Sequence, residues 1–95
     1  MAYAVDFTDA AERELRRLTL PARVAVGRML ERLAASPRRP GVRRVFGADH
    51  LYRAKAGDYR IIYAIHEDHI VICVVRVAHR SIVYGHADRL PPGWD

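Results

Sequence analysis

The sequence predicts an α+β domain: two N-terminal helices packed on a mainly antiparallel sheet of four to five strands. Three observations predict it. A short alternating stretch is followed by two helical stripes with no strand between them. Everything after about residue 42 then reads as consecutive strands. The clearest of these is a hairpin, LYRAKAGDYRIIY, from Leu51 to Tyr63.

Taken in order, Ala2 to Phe7 alternates Tyr3, Val5 and Phe7 against Ala2, Ala4 and Asp6, the period of a strand. Thr8 or Asp9 then caps a helix, and Asp9 with Glu12 three residues on has capping-box character. Ala11, Leu15 and Leu18 form the buried stripe of this helix. Leu20-Pro21 interrupts the pattern, and proline suits the first turn of a new helix. That helix runs to about Ala35, with Val26, Met29, Leu30 and Leu33 on one side. So short a link makes the two helices an antiparallel hairpin whose apolar stripes need a sheet to cover.

Ser36 to Gly41 is rich in helix breakers, and Val42 to Phe46 reads as a short strand or irregular lead-in. Gly47-Ala48-Asp49 turns the chain into the hairpin. Its arms are Leu51–Lys55 and Tyr59–Tyr63, with Ala56-Gly57-Asp58 as the turn. After a polar turn at His66 to His69, Ile70 to Val77 is the most apolar run and is expected to be a central strand buried on both faces. Arg76 is its one exception. Ile82-Val83-Tyr84 is expected as a last short strand, and residues 85–95, with Pro91-Pro92-Gly93, as a loose tail. No linker divides the chain, so residues 1–95 are expected to be a single domain.

The chain holds 95 residues, about half of them apolar, with 16 basic and 11 acidic side chains and a net charge of +5. The charge is uneven. Arg38 to Arg60 carries seven basic residues against two acidic ones, an excess equal to that of the whole chain. A basic balance points to nucleic acid, ribosome or an acidic protein partner, or else serves solubility. Cys73 has no second cysteine to pair with and is expected to be a small core residue. No stretch reaches the roughly 18 apolar residues of a membrane span, and the N-terminus lacks a signal pattern, so a cytoplasmic protein is expected.

Strand alternation puts Arg53 and Lys55 on one face of the first arm, and a short hairpin brings Arg60 close to them. Two readings stand for this cluster: solvated charges on an exposed strand, or a seat for a polyanion. Lys55 is the only lysine beside fifteen arginines. It is either a chance survivor or a position that needs an amine able to lose its proton, which arginine does not do. A second polar group, Arg76-x-x-His79-Arg80-x-x-x-Tyr84, follows the apolar strand. Tyr84 also reads as a core-edge aromatic and His79 as a loop residue. The pooled set offers no paired carboxylates, no cysteine–histidine spacing for a metal and no phosphate-cradling glycine loop. A cation-rich site of this kind suits phosphodiester chemistry on RNA, where the substrate's own 2′-hydroxyl is the nucleophile.

YRAKAGDYRIIY, then an apolar strand, then VAHRSIVY, resembles the RelE/ParE toxin superfamily of bacterial type II toxin–antitoxin systems, in particular its RelE-like mRNA interferase branch. The resemblance covers roughly residues 2 to 84 and implies a microbial-ribonuclease-like sheet carrying two helices. RelE-like members cut mRNA in the ribosomal decoding site without a metal or cofactor. ParE-like members poison DNA gyrase and lack the nuclease residues. Carried over, Arg60 matches the arginine that stabilises the transition state, Arg80 the arginine near the leaving group, and Tyr84 the tyrosine that positions or stacks on the substrate base. Arg53 and Lys55 match a basic pair that is two lysines in the best-known member, which leaves Lys55 as the only lysine for a general base, with the nearby His79 imidazole as the other candidate to share the proton work. His79, Arg76, Arg43 and Arg44 join Arg53 as candidate RNA contacts. The implied partners are a cognate RelB-like antitoxin, in a toxin–antitoxin hetero-oligomer, and the ribosome with its mRNA and rRNA. A gyrase-directed toxin and a non-catalytic RNA-binding module are the alternatives.

Overall fold

The computed structural model describes residues 2–85. Among them lie β1 (Ala4–Phe7), α1 (Asp9–Arg16), α2 (Leu20–Ala35), β2 (Arg43–Val45), β3 (Ala48–Ala56), β4 (Tyr59–His66), β5 (Val71–His79) and α3 (Arg80–Gly85). The strands form one sheet in the order β1-β5-β4-β3-β2. β1 runs parallel to β5, and every other neighbouring pair is antiparallel. The expected α+β architecture is the one that forms.

Thr8, not Asp9, caps α1. Its hydroxyl accepts the Ala11 N–H at 3.2 Å and donates to the Val75 carbonyl at 2.8 Å. One side chain therefore both starts the helix and ties it to β5. Thr19 caps α2, and Pro21 occupies its first turn. The two helices cover one face of the sheet, α1 lying mainly on β5 and α2 on β3. Ala11, Leu30 and Leu33 pack there against Ile61, Tyr63 and Val74. Each fully buried side chain of leucine or isoleucine size contributes roughly 1.5–3 kcal/mol, so this layer holds the helices down. A smaller cluster of Val45, Ile62 and Ala78 sits apart from it.

Three expectations change. The strand buried along most of its length is β4, whose five residues Arg60–Ala64 are all buried. β5, flanked by β4 and β1, alternates instead, and Cys73 on it is only half-buried. The reason is position: β4 lies at the middle of the five strands and β5 next to the edge strand β1. Residues 82–84 are helical, not a strand. β1 lines β5 only from Val71 to Val74, and beyond it α1 lies against the strand with Glu14 accepting the Val77 N–H, so the chain leaving β5 meets a helix instead of an open edge and coils, its Arg80 N–H donating to the Asp58 carbonyl at 2.7 Å. Of the tail expected at residues 85–95, Gly85 ends α3, and residues 86–95 lie outside the described residues.

Candidate active site

Gly57 takes φ +60 and, with Asp58, makes a two-residue turn between β3 and β4. A positive φ at the first turn position is the geometry that matches strand twist, and glycine adopts it without a steric cost. This tight turn sets the register. Lys55 pairs with Arg60, and Arg53 with Ile62. On the other side of β3, Arg43 pairs with Arg53. By alternation Arg43, Arg53, Lys55 and Arg60 all belong to the face turned away from α1 and α2. Like charges placed directly opposite across a ladder cost stability, and this face has two such pairs. A surface arranged so is suited to a polyanion.

The cations differ in setting. Lys55 is exposed and Arg53 half-buried, while Arg60 keeps only 6% of its surface. A buried charge is costly unless hydrogen-bonded. Arg60 Nη1 donates to the carbonyls of Gly57, at 3.2 Å, and Tyr59, at 3.0 Å. The guanidinium is thus seated against its own hairpin turn, where solvent screens it less than a surface charge.

On the next strand, Arg60 pairs with Ala78 and Tyr59 with His79. His79 therefore lies on the helix-covered face, one position out of phase with Lys55 and Arg60. Its ring meets Tyr59 edge-on, with centroids 5.3 Å apart. The Ser81 N–H donates to His79 Nδ1 at 3.0 Å, so the neutral imidazole carries its proton on Nε2. Arg80 opens α3 beside the hairpin turn with its side chain exposed. Tyr84 is within α3, and its side chain lies outside the described residues.

Two of the candidate RNA contacts are placed elsewhere. A β-bulge interrupts the β4–β5 ladder between Ile62 and Tyr63, opposite Arg76 and Val74. Arg76 reaches α1, where Nε and Nη2 grip Glu14 at 2.9 and 2.8 Å. The same carboxylate accepts the Val77 N–H at 2.9 Å. Glu14 holds the Arg76 guanidinium above its ordinary pKa. Arg76 thus carries a bond between α1 and β5. Sequence reading assigned Glu14 no role, because nothing in local spacing links two residues 62 positions apart. Arg44 pairs with Tyr52, on the opposite face from Arg53. Its guanidinium lies 5.9 Å from the Tyr52 ring centroid, and that of Arg38 lies 5.5 Å away. The Arg38 hydrogen bond pulls the Tyr52 phenol below its ordinary pKa. Tyr52 stacks on Tyr63, whose buried hydroxyl donates to the Pro37 carbonyl at 2.6 Å and anchors the connection after α2.

Chemically, the face holding Lys55 and Arg60 combines an exposed amine with a fixed guanidinium on adjacent strands. It can bind a phosphodiester, stabilise negative charge developing on it, and exchange a proton at Lys55 Nζ. Among the described residues no three His, Cys, Asp or Glu side chains gather as a metal-ligand set. None of the described helices is long and apolar enough to cross a membrane.

Residues 5–84 match the family model described as the ParE toxin of the type II toxin–antitoxin system parDE. Two curated proteins of Mycobacterium tuberculosis are similar. Toxin RelG is 34% identical over 89 residues, which is 88% of this chain and 98% of RelG. Toxin RelE is 34% identical over 85 residues, 86% of each chain. Among solved structures, the M. tuberculosis toxin–antitoxin complex RelBE2 superposes with a TM-score of 0.76 at 29% identity, covering 84% of this chain and all of that one. The isolated Escherichia coli RelE toxin superposes with a TM-score of 0.74 at 29% identity, covering 93% and 97%.

Proposed function

This chain belongs to the RelE/ParE toxin superfamily of type II toxin–antitoxin systems, and we propose that it is a ribosome-dependent endoribonuclease that cuts mRNA in the decoding site and so stops translation. The observation that carries this reading is the Lys55–Arg60 cross-strand pair on the cation-bearing face. In the proposed reaction the 2′-hydroxyl of the substrate attacks its own adjacent phosphorus. Lys55 takes the hydroxyl proton as general base. Arg60 faces the charge that develops on the phosphoryl oxygens; the P–O5′ bond breaks as the 2′,3′-cyclic phosphate forms, and the departing 5′-oxygen, beside Arg80, takes a proton from water. Tyr84 stacks on the substrate base, and Arg53 and Arg43 hold the backbone on either side. No metal is assigned a role, because the guanidinium groups supply the positive charge and the substrate supplies the nucleophile.

His79 donates from Nε2 to RNA passing the end of the sheet, on the side opposite Lys55. A RelB-like antitoxin is the proposed partner, masking the basic face in a hetero-oligomer in the cytoplasm. The solved complexes of RelE with RelB are the support for this.

The test is induced expression followed by mapping of mRNA 5′ ends on translating ribosomes. New ends within the decoding site are expected. The matching family model bears the ParE description, which favours a second reading, inhibition of DNA gyrase. Growth arrest with intact mRNA and stalled gyrase would support that one instead.

A further inference from the structure

Phe46 stands between β2 and β3 with 84% of its surface exposed. Gly47 follows at φ +81, so the chain turns sharply at this point. Such turns ordinarily carry Gly, Asn, Asp, Ser or Pro. A phenylalanine there buries almost nothing and contributes little to folding. Single exposed apolar residues are common, so exposure alone decides nothing. The surroundings do. Exposed Arg43 and Arg44 lead into the turn and exposed His50 leads out of it. From Arg39 to His50 the chain has three arginines, Arg39, Arg43 and Arg44, against one acidic residue, Asp49, while Arg38 just before them is paired with Glu67. The other large exposed apolar side chains among the described residues, Leu20, Val24, Ile70 and Ile82, belong to α2, the β4–β5 turn and α3. None shares the β2–β3 hairpin, so Phe46 is a lone aromatic in a cationic setting and not part of an apolar hairpin surface.

We propose that Phe46 is a stacking platform for an unpaired RNA base, held by its basic neighbours on the flanking phosphates. An aromatic face accepts any base, and the surrounding arginines supply attraction for the backbone. A duplex presents no free base face and gains only from the charges. The proposal rests on RNA being the target and extends it to a second contact. Lys55 is seven residues from Ala48 along β3, about 23 Å at the rise of an extended strand. Phe46 is therefore too far from Lys55 and Arg60 to touch the nucleotide being cut. Its role is to anchor the RNA, either the mRNA strand or an unpaired base of rRNA.

The experiment uses the full chain with a short single-stranded RNA, the duplex of the same sequence, and ribosomes with and without mRNA. Phe46→Leu keeps apolar bulk but removes the π face. It should weaken single-strand binding about 5- to 100-fold, the scale of losing one stacked base, and leave duplex binding unchanged. Phe46→Trp should restore affinity, and the emission it adds over the parent should be quenched by RNA. Weakened binding to mRNA-free ribosomes would identify rRNA as the source of the base, whereas weakening only on programmed ribosomes would identify mRNA. Parental RNA affinity in a folded Phe46→Leu chain overturns the proposal. So does equal weakening for single strand and duplex, or a loss confined to antitoxin binding, which would make Phe46 a protein anchor. Failure of the endonuclease reading looks different: the parent chain would cut nothing while its RNA affinity still depended on Phe46.

Discussion

Lys55 stands directly opposite Arg60 across the β3–β4 ladder, yet one is exposed and the other is buried against its own turn. Under the proposed mechanism, that difference suits them to different tasks. A solvated amine can exchange a proton, and a fixed guanidinium can only offer charge and donors. Lys55→Arg keeps the charge and should slow cleavage on the ribosome by roughly 10²-fold, the lower end of general-base assistance. Arg60→Lys should also slow it, through loss of the planar grip on phosphate. Ribosome affinity should survive both changes. Single-turnover cleavage of a programmed ribosome separates rate from binding, and a parental rate for Lys55→Arg would remove Lys55 from the mechanism.

The ribosome should be required. The cation face supplies charge and one candidate base, and alignment of the 2′-hydroxyl with the scissile bond is left to an external template. The same mRNA, naked and then held in a stalled ribosome, should be cut only in the second state. Equal cleavage of both would contradict this.

Glu14 and Arg76 should matter to stability and not to RNA affinity. One carboxylate serves the Arg76 guanidinium and the Val77 N–H. The side chains retain 20% and 35% exposure, which moderates the effect. Glu14→Gln is expected to cost about 1–2 kcal/mol, toward the low end for hydrogen bonds to charged groups. The urea midpoint should fall with an unchanged slope. An Arg76→Ala chain of parental stability but reduced RNA affinity would return Arg76 to the RNA-binding set.

Tyr63 should leave a mark on alkaline stability. Burial pushes its phenol well above the ordinary value of 10.0. The unfolded chain then gives up this proton first as the pH climbs. Stability from this group is whole below about pH 10 and is lost as pH rises towards the raised value. Tyr52 is shifted the opposite way, so the effect is read as a difference between parent and Tyr63→Phe. The variant should lose about 1–3 kcal/mol at neutral pH, because the Pro37 carbonyl loses its donor. Above pH 10 its stability should fall less steeply. Parallel curves above pH 10 would show that the phenol does not couple to folding.

Much of the cation face is legible in one short stretch. Alternation alone puts Arg53 and Lys55 on the same side of a strand, and Gly57 in a tight turn brings Arg60 back beside them. The helix starts near Thr8 and Leu20 are equally local, since capping and proline placement act within one turn. Motif likeness from residue 51 to 84 pointed to the family, and the matching family model and relatives agree with it.

The remaining features depend on contacts between distant segments. Whether residues 82–84 became a strand turned on a free edge, and at the end of β5 one side was taken by β4 and the other by α1, whose Glu14 accepts the Val77 N–H. Arg76 looked like one more cation near the site until the bulge and α1 brought Glu14 to it. Arg44, adjacent to Arg43 in sequence, falls on the other face because strand side chains alternate, and there it meets the ring of Tyr52. By itself the sequence determined turns, caps and which neighbours share a face, because backbone preferences and side-chain periodicity act over a few residues. Only the tertiary structure decided which strand lies in the middle, which cation is buried and which exposed, and which one meets a carboxylate, because those depend on packing between segments tens of residues apart.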